Sequence, residues 1–207
     1  MGAAGIVLVL GAFGLGSIPW GYLFGRWIAG IDLRAVGSGG TGATNALRTM
    51  GRKVSLAVLL LDAAKGALPI VVGRQLGLDG WWLAAAAIAA VAGHCWSPWI
   101  GFKGGKGVAT GAGAAIALWP PVAVVLPVMV VVIAATRFVS LGSLLTCAAA
   151  TALTVALAAG GRLGWSVAVA VAGITLIVVV QHRANIRRLL AGTERRFGEK
   201  VPVQAPS

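Results

Sequence analysis

The sequence predicts an all-α, polytopic membrane protein with seven transmembrane helices, its N-terminus outside and its C-terminus cytoplasmic. Three observations lead there. Of 207 residues, 58% are hydrophobic and 11% charged, where an ordinary soluble domain carries roughly 25% charged residues. The mean hydropathy is +0.92, which argues against a disordered chain, a disulfide-rich secreted module or a soluble enzyme. The formal charge of +12, from 17 basic and 5 acidic residues, sits in short loops and a tail between apolar runs. That pattern fits anionic headgroups and the positive-inside rule; no nucleic-acid partner is expected.

The elements follow in order. The first apolar run, 4–25, has no charged segment before it and no clean cleavage site after it, and reads as a retained helix rather than a signal peptide. Further spans are drawn at 54–73, 81–99, 107–119, 122–136, 141–160 and 163–181. The fourth and fifth are shorter than the roughly 20 residues a crossing helix needs. Between them Pro120-Pro121 removes donors and clashes with the preceding turn, which separates two short helices from one long one. The basic residues support the division. With seven spans, 14 of the 17 fall inside: Arg26, Arg34, Arg48, Arg52, Lys53, Lys103, Lys106, Arg137, Arg183, Arg187, Arg188, Arg195, Arg196 and Lys200. Arg74 and Arg162 fall outside, and Lys65 lies within the second span. Trp81, Trp82, Trp119 and Trp165 mark outer span ends, and Trp27, Trp96 and Trp99 inner ones, as two aromatic belts would. Gly21/Gly25 and Gly107/Gly111 have the spacing that lets helix backbones approach closely. Cys95 and Cys147 have no metal or redox spacing and read as packing residues. The whole chain, 1–207, reads as one domain with a basic cytoplasmic tail over 182–207.

Polar residues gather on the inner side. Gly37-Ser38-Gly39-Gly40-Thr41-Gly42-Ala43-Thr44-Asn45, followed by Arg48, contains GxGxxG but lacks the βαβ context of a dinucleotide site. What remains is a glycine loop entering a helix, whose backbone N–H groups suit an anion. A second glycine run, Phe102-Lys103-Gly104-Gly105-Lys106-Gly107, follows Gly93-His94; Ile100 and Gly107 exclude a P-loop, yet two lysines among glycines make another phosphate cradle. A third group is His182-Arg183-Ala184-Asn185-Ile186-Arg187-Arg188, then Gly192-Thr193-Glu194, where a helical continuation of the last span would put His182 and Asn185 on one face. Ser140 and Ser143 near Arg137 form a fourth. Asp62 and Lys65, at i and i+3 inside a span, can serve each other as partners; ion pair and functional pair both fit them. Two distant histidines and five scattered acids give no metal site, and no cofactor is expected.

Cations and glycine loops at a membrane interface suit a phosphate ester, and the spans around them suit a lipid-like second substrate. The residues that carry this chemistry resemble a known family, the PlsY-type acyl-phosphate:glycerol-3-phosphate acyltransferases of bacterial membranes. The resemblance rests on Gly16-Ser17-Ile18-Pro19 with Gly21-Tyr22, on Gly37 through Asn45 with Arg48, and on Asp62 with Lys65-Gly66. It continues through Gly93-His94, Phe102 through Thr110, His182-Arg183 with Asn185-Ile186, Arg188-Leu189 and Gly192-Thr193-Glu194. The blocks follow the family's order and spacing. One position departs: Gly40 stands where the family usually has Asn.

The resemblance implies transfer of a fatty acyl group from acyl phosphate to the sn-1 hydroxyl of glycerol 3-phosphate, giving lysophosphatidic acid and phosphate. It implies a multi-pass protein of the bacterial inner membrane, with its site facing the cytoplasm. Glycerol 3-phosphate, a long-chain acyl phosphate and membrane lipids are the expected partners. The site residues carried over are His182, Ser38, Lys106 and Asn185 for catalysis, with Thr41, Thr44, Asn45, Arg48, Lys103, Gly104, Gly105 and Ser140 in binding. His182 reads either as general base or as an orienting group, with the donor's phosphate taking the proton. The rival reading, a carrier of organic phosphates, would want polar groups near the midplane or on both faces; this chain has one basic face and no half-to-half symmetry.

Overall fold

A computed structural model describes residues 2–199; Lys200 and the last seven residues of the expected tail lie outside the described residues. Among the described residues there are helices, turns and loops but no strand. The helices are α1 Gly2–Gly16, α2 Trp20–Ala29, α3 Ala43–Met50, α4 Arg52–Gln75, α5 Gly80–Cys95, α6 Val108–Leu118, α7 Leu126–Thr136, α8 Val139–Ala159, α9 Trp165–Gln181 and α10 Arg183–Leu190. Two 3-10 segments, Pro98–Ile100 and Pro120–Val125, follow α5 and α6.

Among the described residues, four stretches are long and apolar enough to cross a membrane, Gly2–Ala29, Arg52–Gln75, Gly80–Ile100 and Val139–Ala159, and the bent pair Trp165–Gln181 with Arg183–Leu190 makes a fifth if taken as one span. At about 1.5 Å per residue, the 24 residues of α4 cover the roughly 30 Å of a hydrocarbon core. The first span is broken where one helix was expected over 4–25. Pro19 cannot donate, and the Ser17 hydroxyl turns back to the Gly14 carbonyl at 2.6 Å. The proline pair acts as expected: α6 stops before Trp119, and Pro120 opens a 3-10 turn instead of prolonging the helix. α6 and α7 have 11 residues each.

The last span departs from expectation. It does not continue straight through His182 and Asn185 but bends by 62° between α9 and α10. The His182 ring bonds through Nδ1 to the Val178 carbonyl at 2.8 Å, the carbonyl that the His182 N–H also uses at 3.0 Å. A side chain inserted into the backbone ladder is a sufficient cause of a kink. The bend carries His182 and Asn185 inward, and both are buried.

Packing relies on absent side chains. A Cβ on Gly66 would overlap the Thr110 backbone, and one on Gly113 the Ala63 carbonyl, so α4 and α6 meet backbone to backbone. Gly16 and Gly93 do the same between α1 and α5. Of the expected glycine pairs, Gly111 meets Ile174 of α9, while Gly21 and Gly25 meet the loop that carries Leu33 and Thr41 rather than another helix. Cys95 and Cys147 are free thiols, buried and half-buried. Trp27, Trp81, Trp99 and Trp165 are exposed, as interfacial residues are.

Candidate functional site

A cavity of about 360 Å³ opens at the end of the bundle where α4, α6 and α8 begin and α5 and α9 end. One wall is the glycine loop. Gly37 and Gly39 adopt left-handed φ of 63° and 72°, which lets the loop fold around Asn45. The Asn45 amide donates to the carbonyls of Leu33 (2.8 Å), Val36 (3.0 Å) and Gly40 (2.9 Å), and its Oδ1 accepts the Ser38 N–H at 2.9 Å. Asn45 is therefore spent on shaping the loop, and Ser38 and Thr44 are left on the cavity wall. At Gly40 a Cβ would meet nothing closer than the Ser38 hydroxyl at 4.0 Å. The loop needs no side chain there and has room for one.

The opposite walls bring Arg48 from α3, Lys106 from the turn before α6, Ser140 and Ser143 from the start of α8, and His182 and Asn185 from the bend. Neither Arg48 nor Lys106 has an ion-pair partner among the described residues. Burial pushes the Lys106 ammonium down to about 8; Glu194 works against that shift, while Arg188, Arg48 and Arg195 add repulsion. Burial also lowers the Arg48 guanidinium, with Arg195 pushing the same way. Partly buried cations near one another, with no ion-pair partner among the described residues, make this a candidate anion site.

Glu194 organises the far side. Its Oε1 accepts from the Ser140 hydroxyl at 2.8 Å and from Asn185 Nδ2 at 2.6 Å, and its Oε2 accepts from Arg188 Nε at 2.8 Å. Burial would raise its carboxyl, but these hydrogen bonds and the Arg188 charge outweigh that and hold it below the usual carboxylate range. Arg195 donates to the Gly37 carbonyl and so ties the segment after α10 to the glycine loop. At the His182 ring, Nδ1 donates to a carbonyl, so the neutral tautomer leaves an acceptor lone pair on Nε2.

A narrower apolar groove of about 80 Å³ continues from the cavity between α6, α7, α8 and α9. Val108, Ala112, Leu126, Met129 and Ser143 border both spaces, and Gly111, Ala115, Ile174 and Val178 line the groove beyond them. Gly111 matters here because a Cβ on it would overlap the Ile174 side chain, so α6 and α9 can meet closely beside the groove only without one.

The structure thus gathers Ser38, Thr44, Asn45, Arg48, Lys106, Ser140, His182 and Asn185 around one cavity. Thr41 is buried behind the loop, Lys103 is exposed, and Gly104 and Gly105 pack against His94 rather than on the cavity wall. Glu194 belongs to the third polar group of the sequence and to the blocks that carry the resemblance, but neither it nor Arg195 was given a catalytic or binding role. The available signal was a lone carboxylate in the arginine-rich run 183–196. Asp62 and His94 also reach the cavity. No group of three metal-ligating side chains occurs among the described residues.

A family profile described as glycerol-3-phosphate acyltransferase matches residues 6–192. A glycerol-3-phosphate acyltransferase of Synechococcus sp. (strain CC9902) is 49% identical over 196 residues, which are 94% of this chain and 96% of that protein. One of Geobacter sulfurreducens is 45% identical over 193 residues, 93% of this chain and 97% of that protein. Two crystal structures of PlsY (YgiH), an integral membrane glycerol 3-phosphate acyltransferase, share the fold. The glycerol 3-phosphate form gives a TM-score of 0.86 at 38% identity, and the lysophosphatidic acid form 0.83 at 36%; each comparison covers 94% of this chain and 96% of the other.

Proposed function

The chain belongs to the glycerol-3-phosphate acyltransferase family, and from that premise we propose that it moves a fatty acyl group from a long-chain acyl phosphate to the sn-1 hydroxyl of glycerol 3-phosphate, releasing lysophosphatidic acid and inorganic phosphate. The observation that carries this reading is a cavity, continuing into an apolar groove, with two cations, Arg48 and Lys106, that have no ion-pair partner among the described residues. The polar part suits two phosphate groups and a glycerol; the groove suits the start of an acyl chain.

The reaction asks little of the protein. The sn-1 oxygen attacks the acyl carbonyl carbon, the new C–O bond forms, and the bond from that carbon to the phosphate oxygen breaks. Phosphate is a good leaving group, so holding two anions together and offsetting charge at the carbonyl is the main task. Lys106 and Arg48 offset phosphate charge. Ser38, Ser140 and Asn185 orient oxygens, and Thr44 lines the entrance from α3. His182 Nε2 accepts a hydrogen bond from the attacking hydroxyl, and the leaving phosphate takes its proton. This division follows from the surroundings: His182 has a neutral carbonyl behind Nδ1, not a carboxylate, and nearby Lys106 opposes a second cation. In this reading Asn45 shapes the loop, and Gly104 and Gly105 hold the Lys103–Lys106 turn.

The chain acts as one membrane domain with seven spans, α6 and α7 forming the two short ones. The N-terminus is outside, and the cavity and the tail face the cytoplasm of a bacterial inner membrane. Lys106 and Arg137 both lie at the cavity end of the bundle, and that end carries the excess of basic residues.

The test uses purified protein with glycerol 3-phosphate and either palmitoyl phosphate or palmitoyl-CoA. Lysophosphatidic acid and phosphate from the acyl phosphate alone are expected. Product from palmitoyl-CoA but not from palmitoyl phosphate would overturn the donor assignment.

A further inference from the structure

A chain of buried contacts ends on the backbone beside Lys106 without including Lys106 itself. It starts at the break between α1 and α2. There Lys65 Nζ donates to the Ile18 carbonyl at 2.7 Å. The same nitrogen lies 2.8 Å from Asp62 Oδ1, an ion pair whose angle leaves that oxygen without a formal hydrogen bond. Asp62 Oδ1 in turn lies 3.5 Å from His94 Nδ1. All three side chains are buried.

His94 then fixes the lysine turn in two ways. Its carbonyl accepts the Gly105 N–H at 3.1 Å, and the next carbonyl, of Cys95, accepts the Gly104 N–H at 3.0 Å. Its ring fills the space where residue 105 would carry a side chain: a Cβ there would overlap Nε2, and one on Gly104 would overlap the His94 carbonyl. The two glycines are therefore pressed on the imidazole and on the end of α5. Lys106 follows directly, with Gly107 at φ 81° starting α6.

We propose that His94, backed by Asp62 and Lys65, is a positioning residue for Lys106, holding the Gly104-Gly105 backbone so that the ammonium points into the phosphate cavity. The buried ion pair thereby has a task. A charged pair in the interior stabilises little compared with apolar side chains, but it can fix one geometry. Here it fixes the ring that the lysine turn rests on. The Lys103-Gly-Gly-Lys106 segment needs its glycines for close approach to His94 and to the end of α5.

The inference rests on the proposed function, and the experiment separates the two. Wild-type turnover of palmitoyl phosphate with glycerol 3-phosphate tests the function. Binding of glycerol 3-phosphate, measured by titration calorimetry on the purified protein, tests the positioning role whatever the donor is. His94→Ala, Lys106→Ala and the double variant form a cycle. His94→Ala alone is expected to weaken binding about tenfold, equivalent to roughly 1.4 kcal/mol, and to weaken it less than twofold further once Lys106 is already alanine. Gly105→Ala, which pushes the turn off the ring from the other side, is expected to behave in the same way and serves if His94→Ala does not fold. Unchanged binding in the single variants, or losses that add in full to that of Lys106→Ala, would overturn the proposal, because a merely structural role is indifferent to residue 106.

Discussion

At the residue scale, the proposed working parts of the cavity are cations that have no ion-pair partner among the described residues. Arg34 shows the contrast. It clamps Asp32 through Nε and Nη2 at 2.7–3.2 Å, bonds the Ile100 carbonyl at 2.7 Å and stacks over Tyr22. Arg48 and Lys106 have no such partners among the described residues, although burial alone would favour giving them one. Lys106 therefore titrates near the working range, and the sign of its effect is fixed. In the proposed function the ammonium is the form that holds phosphate, so the Lys106 contribution to binding is present below about pH 8 and is lost as pH rises through that value. kcat/KM for glycerol 3-phosphate should fall above about pH 8. In Lys106→Arg, whose guanidinium stays charged, that decline should move to higher pH. The same basic limb in both proteins would show that another group controls it.

At the element scale, short helices and breaks position the site, and glycines let the elements meet. α4 and α6 are joined at Gly66 and Gly113, where no Cβ fits. Gly113→Leu should lower the melting temperature in detergent; filling a packed interface costs about 1–3 kcal/mol. Gly11→Ala, at a helical position with open space around it, should be neutral or slightly stabilising. An equal response at both positions would contradict this account of the packing.

Much of this scale was legible in the sequence. The spans over 54–73, 81–99, 141–160 and 163–181 match α4, α5, α8 and α9 to within a few residues, because a run of apolar residues bounded by charge or proline permits little else. The bend at His182 was not legible. It depends on a ring competing for the Val178 carbonyl, a tertiary choice that periodicity does not encode. The glycine loop was recognisable as a polar, turn-rich segment, but the spending of Asn45 on three carbonyls required the fold. Glu194 bonds Ser140, distant in sequence, as well as Asn185 and Arg188. A lone acid among arginines hints at a partner without saying which one.

At the scale of the whole molecule, one end of the bundle is polar and basic, and the other bears Arg74, in the last turn of α4, and Arg162, between α8 and α9. Arg74 spends its guanidinium on the Leu118 carbonyl at 2.6 Å, tying the end of α4 to the end of α6 away from the cavity. Orientation is open to direct measurement because Cys95 and Cys147 are both at least half-buried. In intact cells, a membrane-impermeant maleimide should label Arg162→Cys and leave Lys103→Cys unlabelled until the membrane is opened. The reverse pattern would invert the proposed topology.

The central claim is that open cations in one cavity hold the phosphate during acyl transfer, and Lys106→Ala tests it most directly. Steady-state kinetics with palmitoyl phosphate and glycerol 3-phosphate, on protein shown to be folded, should give at least a tenfold loss of turnover. That loss corresponds to about 1.4 kcal/mol of lost stabilisation at the barrier. Near-normal kinetics in the folded variant would contradict the account and leave the cavity without its main electrostatic role.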